Sequence, residues 1–515
     1  MICVTIACGS HTRMINEHQA LAADGVQLAE LRLDFLRRAP ELHRLLPDRP
    51  TATLLTVRRK QDGGLWTDSE ENRLLLLRSA IAQQPEFIDL ETDIADKIPR
   101  YGKTRRIISY HNINGMPDNI ESLHREMLSK DPDVIKIAVN PKTIAEMFRF
   151  IAFVREKNAE AKKNGTKLAG DGNGIRVVGI CMGETGKASR ILAKKFGMPF
   201  TYSTFSESRI IAPGLMVYKE MLDLYHYEQT DADTKVFGII GNPIGHSLSP
   251  LIHNKSFVEQ KINAVYVPFP LDSEQVADFV EYAPQWDIEG ISVTIPHKVT
   301  VMKSLTKMDP AVSKIGACNT IVFRNGEKLG YNTDYLAAVS SIEIAMGGNP
   351  QDTPGILEQK NALVLGAGGA GMALVYGLKK RGAVVTVTDI NKTRADELAQ
   401  TMDVEVIDWA SKMSMKPAPD VIANCTPIGM HPNVEQTPFE RSDFQRGTAV
   451  FDAVYNPENT LFLKNAASRG CKVISGIEMF VGQACLQFKF FTGEKASASF
   501  MRKLVKNAIS AAKEQ

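Results

Sequence analysis

The sequence predicts an α/β protein: a (β/α)8 TIM barrel, then a polar seam, then a second α/β half containing a Rossmann-type lobe. Three observations predict it. Short apolar, β-branched runs alternate with helical patterns over about the first 225 residues. HYEQTDADT, 226–234, is polar, acidic and aperiodic, as linkers are. GAGGAG, 366–371, directly follows one strand-like run and opens a helix-like one.

At 515 residues the chain exceeds one core and predicts several domains. Its 44% hydrophobic and 23% charged content is that of a soluble globular protein. A net charge of +2 gives no reason to expect nucleic acid or a membrane surface as partner. Seven scattered cysteines form no CxxC pair, so no metal is expected and a reducing cytoplasm suits them. MICVTIACGSH lacks a basic leader, and no uninterrupted run is apolar enough to span a membrane.

The expected barrel strands are 2–7, 27–33, 52–58, 87–91, 106–110, 133–139, 175–181 and 200–205, with a longer mobile loop at 161–174. Barrels carry their chemistry at the C-terminal strand ends. ELRLD places Glu30, Arg32 and Asp34 at period two on one face. Arg58, Glu91 and His111 end the next strands, Lys136 lies within the sixth, and Arg190 follows GICMG. Carboxylates, arginines, a histidine and a lysine converging on one mouth predict a site for an anionic substrate. A structural Glu30–Arg32 ion pair and a Lys136 reaching the rim are the plainer alternative.

A lysine in a low-dielectric pocket near other cations is a nucleophile for a ketone. The iminium it forms acidifies neighbouring C–H bonds, and a histidine exchanges the proton. Elimination of water from a β-hydroxy ketone carboxylate and aldol chemistry both fit these residues.

Together ELRLD (30–34), TVR with a downstream DGG (56–64), ISYHN (108–112), VIKIAV (134–139) and MGxxGxxSR (182–190) resemble the type I 3-dehydroquinate dehydratases over residues 1–225. The resemblance implies Lys136 as the Schiff-base lysine and His111 as general acid/base. It implies Glu30, Arg32, Arg58 and Arg190 as substrate contacts and Met182 as wall. The chain departs from that pattern with Asp62 before the paired glycines, and with Ile211 and Leu215 where the family has serine and glutamine.

In the second half, a strand at 236–240 runs into a loop with Ser247 and Ser249. ISVTIPHK reads as a strand ending in Thr294 and Lys298, and GACNT and GYNTD carry Asn319 and Asp334. Hydroxyls, an amide and a Lys–Asp pair suit a polyhydroxylated acid, although Ser249 before Pro250 also reads as a helix N-cap. Gly366, Gly368 and Gly371, with Ala367, Gly369 and Ala370 between them, form the turn on which a pyrophosphate rests. The next strand, AVVTVTD, ends on Asp389, whose carboxylate accepts from a ribose 2′-OH and repels a 2′-phosphate. That favours NAD over NADP, with Lys392 and Arg394 as nearby cations.

GNPIGHSLSP, SVTIPHK, GACNT, GYNTD, GAGGAG, NCTPIGM and GIEMFVGQA resemble shikimate dehydrogenase. The resemblance implies a two-lobed fold: a substrate lobe at 235–335, completed by helices at about 479–515, and a Rossmann lobe at 336–478. It implies Ser247, Ser249, Thr294, Asn319 and Gln483 as shikimate contacts, Lys298 with Asp334 as the catalytic pair, and Asn391, Thr426 and Pro427 beside an NAD(P) cofactor. Asp389-Ile390-Asn391 stands where NADP-using members carry Asn-Arg-Thr.

The composite expectation is a cytoplasmic enzyme converting 3-dehydroquinate through 3-dehydroshikimate to shikimate. The alternative is an NAD-dependent quinate/shikimate dehydrogenase whose barrel is weakly active or non-catalytic.

Overall fold

β-Branched and apolar runs form eight strands: β1 Ile2–Ile6, β2 Leu28–Arg32, β3 Ala52–Thr56, β4 Phe87–Glu91, β5 Arg105–Asn112, β6 Val134–Val139, β7 Arg176–Cys181 and β8 Thr201–Thr204. The computed structural model describes residues 1–164 and 174–511. The strands lie in the order β7-β6-β5-β4-β3-β2-β1-β8, and the recorded pairings are parallel. Sequence neighbours are sheet neighbours, as in the expected barrel. One seam, between β7 and β8, has no ladder among the described residues.

The two-residue period of a strand stacks the barrel interior in layers. Cys3, Leu28, Leu54, Phe87, Ile107, Val134 and Val178 form an apolar cluster with Phe200 and Tyr202. Burying a Leu or Phe side chain there stabilises the fold by about 1.5–3 kcal/mol. Two residues further along the same strands come Thr5, Glu30, Thr56, Asp89, Ser109 and Lys136, all buried. Two further come Arg32, Arg58, Glu91 and His111. β2 to β5 thus begin as hydrophobic core and end as chemistry.

The helix Ile144–Asn164 starts in a capping box. Thr143 Oγ1 accepts from Glu146 N at 3.1 Å, and Glu146 Oε2 accepts from Thr143 N at 3.3 Å. It corrects the loop expected at 161–174: Ala161 to Asn164 continue the helix, because Ala and Lys are strong helix formers. Residues 165–173 of that loop lie outside the described residues.

The chain divides into two compact units, Met1–Val236 with Ile262–Ile288 and Phe237–Lys261 with Glu289–Gln515. In the second unit, Thr320–Arg324 and Glu327–Tyr331 form an antiparallel hairpin. Its turn residues, Asn325 and Gly326, both have positive φ. The strand Ile288–Val293 lies antiparallel beside Thr320–Arg324. The expected strand 291–298 therefore stops at Val293. Pro296 has no N–H to offer a ladder, so Thr294 and Lys298 sit in the turn beyond.

The helix Gly476–Thr492 packs on this sheet through buried Gln487, which accepts from Ser292 Oγ at 2.8 Å and donates to Thr320 Oγ1 at 3.0 Å. A further helix, Ala498–Ala511, follows it; residues 512–515 lie outside the described residues. Between these elements lies an all-parallel sheet. Its order is Glu405–Val406, Val384–Thr388, Asn361–Leu365, Val421–Asn424, Ala449–Asp452, Lys472–Ile474. That is the 3-2-1-4-5-6 order of a doubly wound dinucleotide fold.

Candidate active sites

Lys136 is only 5% exposed, so it does not reach the rim. Its Nζ lies 3.1 Å from Asp89 Oδ2 and 4.2 Å from the centre of the Tyr202 ring. Asp89 also accepts from Arg58 Nη2 at 2.8 Å and Ser109 Oγ at 2.6 Å. Burial pushes the Asp89 carboxyl up, but Arg58, Lys136 and His111 outweigh it and hold the group well below the usual carboxylate range.

Arg58 spreads over three further partners. Nη1 lies 2.8 Å from His111 Nδ1, 3.2 Å from Ser109 Oγ and 3.4 Å from Glu91 Oε1. A guanidinium only donates, so Nδ1 accepts and the ring proton sits on Nε2. Burial, with Arg58 and Lys136 alongside, drives the His111 imidazole well below its ordinary value against the pull of Asp89. Glu91 is anchored from outside the barrel by fully buried Arg73, at 2.8 Å.

Glu30 and Arg32 do not form the ion pair considered from the sequence. Glu30 accepts from Thr5 Oγ1 and Thr56 Oγ1, both at 2.7 Å, while Arg32 pairs bidentately with Asp34 at 2.8 and 2.9 Å. Residues two apart on one strand project side by side, and Asp34 lies beyond the strand where the chain turns back toward Arg32. Asp34 also accepts from Leu65 N at 3.0 Å, which ties down the Gly63–Gly64 turn. A Cβ on Gly64 would stand 2.2 Å from the Arg58 carbonyl oxygen, so only glycine lets that turn lie on Arg58.

Arg190 is 4% exposed, its Nε has no hydrogen-bond partner, and burial lowers its pKa to about 10. Met182 and Ile211 pack against the apolar cluster that includes Leu215. A cavity of about 280 Å³ opens beside His111, Ser109, Glu91, Asp62 and Arg59.

In the second unit Lys298 Nζ lies 2.6 Å from Asp334 Oδ2, with Asp334 on the first turn of the helix Asp334–Met346. Ser249 is not an N-cap. Leu248 holds that position, Ser249 is the first helical residue, and its N donates to Ser247 Oγ at 3.3 Å. Asn319 is largely committed: Nδ2 donates to Thr333 Oγ1, and Oδ1 accepts from Thr333 N and Thr320 Oγ1. Half-buried Thr294 donates its N–H to Ile240 O. Gln483 Nε2 donates to Phe480 O.

The residues around GAGGAG fit a dinucleotide. Gly366 has φ +101°, and a Cβ on Gly371 would stand 1.9 Å from the Gly366 oxygen. Gly368 caps the helix Gly369–Lys380 with no side chain, and a Cβ on Gly368 or Gly369 would meet open space. Half-buried Ala370 and buried Ala367 complete the turn. Asp389 accepts from Ala367 N and Asn391 N, both at 2.7 Å, so it braces the turn as well as ending the strand. Asn391 caps the helix Lys392–Met402 by accepting from Arg394 N; the Lys392 and Arg394 side chains are exposed. Thr426 donates N and Oγ1 to Asn424 Oδ1, with exposed Pro427 next to it.

Among the described residues no His, Cys, Asp and Glu cluster is placed to hold a metal ion, and no helix is long and apolar enough to cross a membrane.

Residues 2–232 match the type I 3-dehydroquinase family. Residues 239–321 match the shikimate dehydrogenase substrate binding domain, and 476–506 the shikimate 5′-dehydrogenase C-terminal domain. The chain is 35% identical over 512 residues to the bifunctional 3-dehydroquinate dehydratase/shikimate dehydrogenase, chloroplastic, of Arabidopsis thaliana, covering 96% of this chain and 82% of that protein. The chain belongs to the bifunctional 3-dehydroquinate dehydratase/shikimate dehydrogenase family. Its C-terminal half is 38% identical over 273 residues to the shikimate dehydrogenase (NADP(+)) of Maridesulfovibrio salexigens, covering 53% of this chain and 96% of that one. A shikimate dehydrogenase crystallised in complex with NADP+ superposes with TM-score 0.51 at 32% identity, covering 54% of this chain and 97% of that chain.

Within this family fold, several site residues escape sequence reading. Asp89 and Ser109 look like ordinary polar strand residues, yet each sits two positions before a residue already singled out, Glu91 and His111. Gln487 lies one helical turn after Gln483. Arg73 gives no signal, because it lies outside the strand runs, on the helix Glu70–Ala82.

Proposed function

We propose that the barrel dehydrates 3-dehydroquinate through a Schiff base on Lys136, and that the second unit reduces the 3-dehydroshikimate so formed to shikimate. The observation that carries this reading is a buried lysine held by one carboxylate, beside a neutral histidine and a buried arginine whose Nε is unpartnered.

Arg190 binds the substrate carboxylate, and Glu30 and Arg32 hold its hydroxyls. Lys136 Nζ adds to the ketone, the proton its ammonium releases leaves with the ketone oxygen as water, and the iminium remains. His111 takes a neighbouring C–H proton to give the enamine and returns it to the β-hydroxyl, which leaves as water; addition of water to the remaining iminium releases the product and frees Lys136. In the free protein Arg58 occupies His111 Nδ1 and the ring proton occupies Nε2. The imidazole therefore accepts a proton only once Arg58 turns away, which Arg58 does by engaging the substrate.

When bound, the dinucleotide supplies the two electrons of the second reaction. Gly366 to Gly371 and Thr426 hold it. Ser247, Ser249, Thr294, Asn319 and Gln483 hold the substrate, and Lys298 delivers the proton to the substrate oxygen while Asp334 fixes the ammonium. The cofactor is NAD(P), and Asp389 with exposed Ile390 favours NAD; Lys392 and Arg394 are the cations available to a 2′-phosphate. The seven free cysteines suit the cytoplasm, and neither nucleic acid nor membrane is a partner in this reading.

The test is an assay started with 3-dehydroquinate and either NADH or NADPH. Shikimate formed faster with NADH is the expected result. Failure to form 3-dehydroshikimate contradicts the first step, and a strong NADPH preference contradicts the role given to Asp389.

A further inference from the structure

The β8 residue Tyr202 has no part in the chemistry above, yet it lies at its centre. Its ring is 4% exposed and its hydroxyl is buried without a hydrogen-bond partner. Lys136 Nζ stands 4.2 Å from the ring centre, within cation–π distance. The ring is held from below by Phe200, edge-on at 5.5 Å, which packs on Phe87 at 6.2 Å. It is a fixed platform.

The geometry of Lys136 above this platform has a consequence for the iminium. The ammonium has three N–H groups and satisfies one on Asp89. The iminium of a ketone keeps a single N–H, so hydrogen bonding holds it less well. The charge that remains on nitrogen is then carried by whatever lies against its face. The hydroxyl has a separate consequence. Burial, with Glu30, Cys3 and Asp89 nearby, pushes the phenol well above its ordinary value, so it stays protonated and is a donor. Native proteins rarely bury a donor with nothing to receive it. Arg190 Nε is a second buried donor in the same condition, and the two groups lie within electrostatic reach of one another. An oxygen entering the site gives a buried donor of this kind its acceptor.

We propose that Tyr202 is a further residue of the dehydratase site: its ring face seats the cationic nitrogen of Lys136, and its hydroxyl donates a hydrogen bond to the bound substrate. This rests on the Schiff-base reading of Lys136.

Two variants of the full chain separate the two roles. Tyr202→Phe keeps the ring and deletes the hydroxyl. Tyr202→Met keeps much of the volume and deletes the aromatic face. Both are assayed with 3-dehydroquinate, and the fraction of chain trapped by borohydride at saturating substrate is read by intact mass. Tyr202→Phe is expected to raise KM roughly tenfold with kcat and trapped fraction near the parent, and Tyr202→Met to lower kcat and trapped fraction about tenfold, the scale of a desolvated cation–π contact. An unchanged KM in Tyr202→Phe overturns the hydroxyl role, and a parental trapped fraction in Tyr202→Met overturns the ring role. If Tyr202→Met does not fold, Tyr202→Leu, which also lacks the aromatic face, takes its place, and a parental trapped fraction there overturns the ring role. Lys136→Met serves as the separating control: parental dehydration in that variant refutes the Schiff base itself, whatever Tyr202 does.

Discussion

Lys136 Nζ lies 3.1 Å from Asp89 Oδ2, so the charged nitrogen of the sixth barrel strand is held by a carboxylate of the fourth. The same oxygen holds Arg58 at 2.8 Å. One carboxylate therefore sets the spacing of the two cations that work on the substrate.

Removing that charge leaves two buried cations without their common counter-ion. Asp89→Ala is expected to destabilise the barrel by about 3–5 kcal/mol. Asp89→Asn keeps the shape and costs less stability, but it lowers dehydratase kcat by on the order of 100-fold as Lys136 and Arg58 lose their register. Urea unfolding and steady-state assays of both variants check this. A fully active Asp89→Asn contradicts it.

The imidazole of His111 is held neutral well below its ordinary value of 6.5. A base must be unprotonated to act, so dehydratase kcat/KM is expected to stay level as pH falls through 6.5 and to drop only well below it. Stability behaves differently. The folded value lies below the unfolded one, so this group's contribution is full above about 6.5 and is lost as pH falls from there towards the folded value. A rate profile with its acid limb at 6.5 contradicts the buried, Arg58-braced imidazole; pH–rate profiles of the parent and His111→Asn decide it.

How much of this was legible follows from the strand period. Glu30, Arg32, Arg58, His111 and Lys136 are charged or titratable residues in apolar runs, and such residues announce themselves. Asp89 does not, because the C-terminal end of the strand 87–91 points to Glu91; the parity of Asp89 with Glu91 is the signal that finds it. The N-cap alternative for Ser249 fails for a different reason. A serine before proline has cap chemistry, but the turn through Ser247 starts the helix one residue early. The hydrogen bonds that orient Asn319, to Thr333 and Thr320, are not legible in the sequence, because they depend on a fold that brings GACNT beside GYNTD.

Asp452 holds the loop after Val421–Asn424, where Thr426 lies. It accepts from Asn424 Nδ2 and Val454 N at 3.0 Å and from Thr460 Oγ1 at 2.6 Å. Burial outweighs these contacts and pushes its carboxyl up from 3.8 to about 6. The fold therefore binds this proton more tightly than the unfolded chain does. Stability from this group is highest below about 4, falls as pH rises to about 6 and is level beyond, a change of about 3 kcal/mol. Asp452→Asn keeps the three contacts if the Thr460 hydroxyl turns to accept. It is expected to gain on the parent between pH 5 and 7.5, while Asp452→Ala loses about 1–3 kcal/mol at both. Urea midpoints at the two pH values measure it.

Asp389 braces the turn through Ala367 N and also stands where a ribose hydroxyl would bind. Asp389→Ala is expected to raise KM for both NADH and NADPH, and to move the preference towards NADPH by about tenfold as the repelling carboxylate disappears. Initial rates with each cofactor test it; an unchanged ratio removes Asp389 from the choice.

The most direct measurement is borohydride reduction of the full chain in the presence of 3-dehydroquinate, followed by peptide mass analysis. A substrate-derived adduct on Lys136, absent from Lys136→Met together with dehydratase activity, is the expected result. An adduct on another residue, or undiminished dehydration by Lys136→Met, contradicts the account.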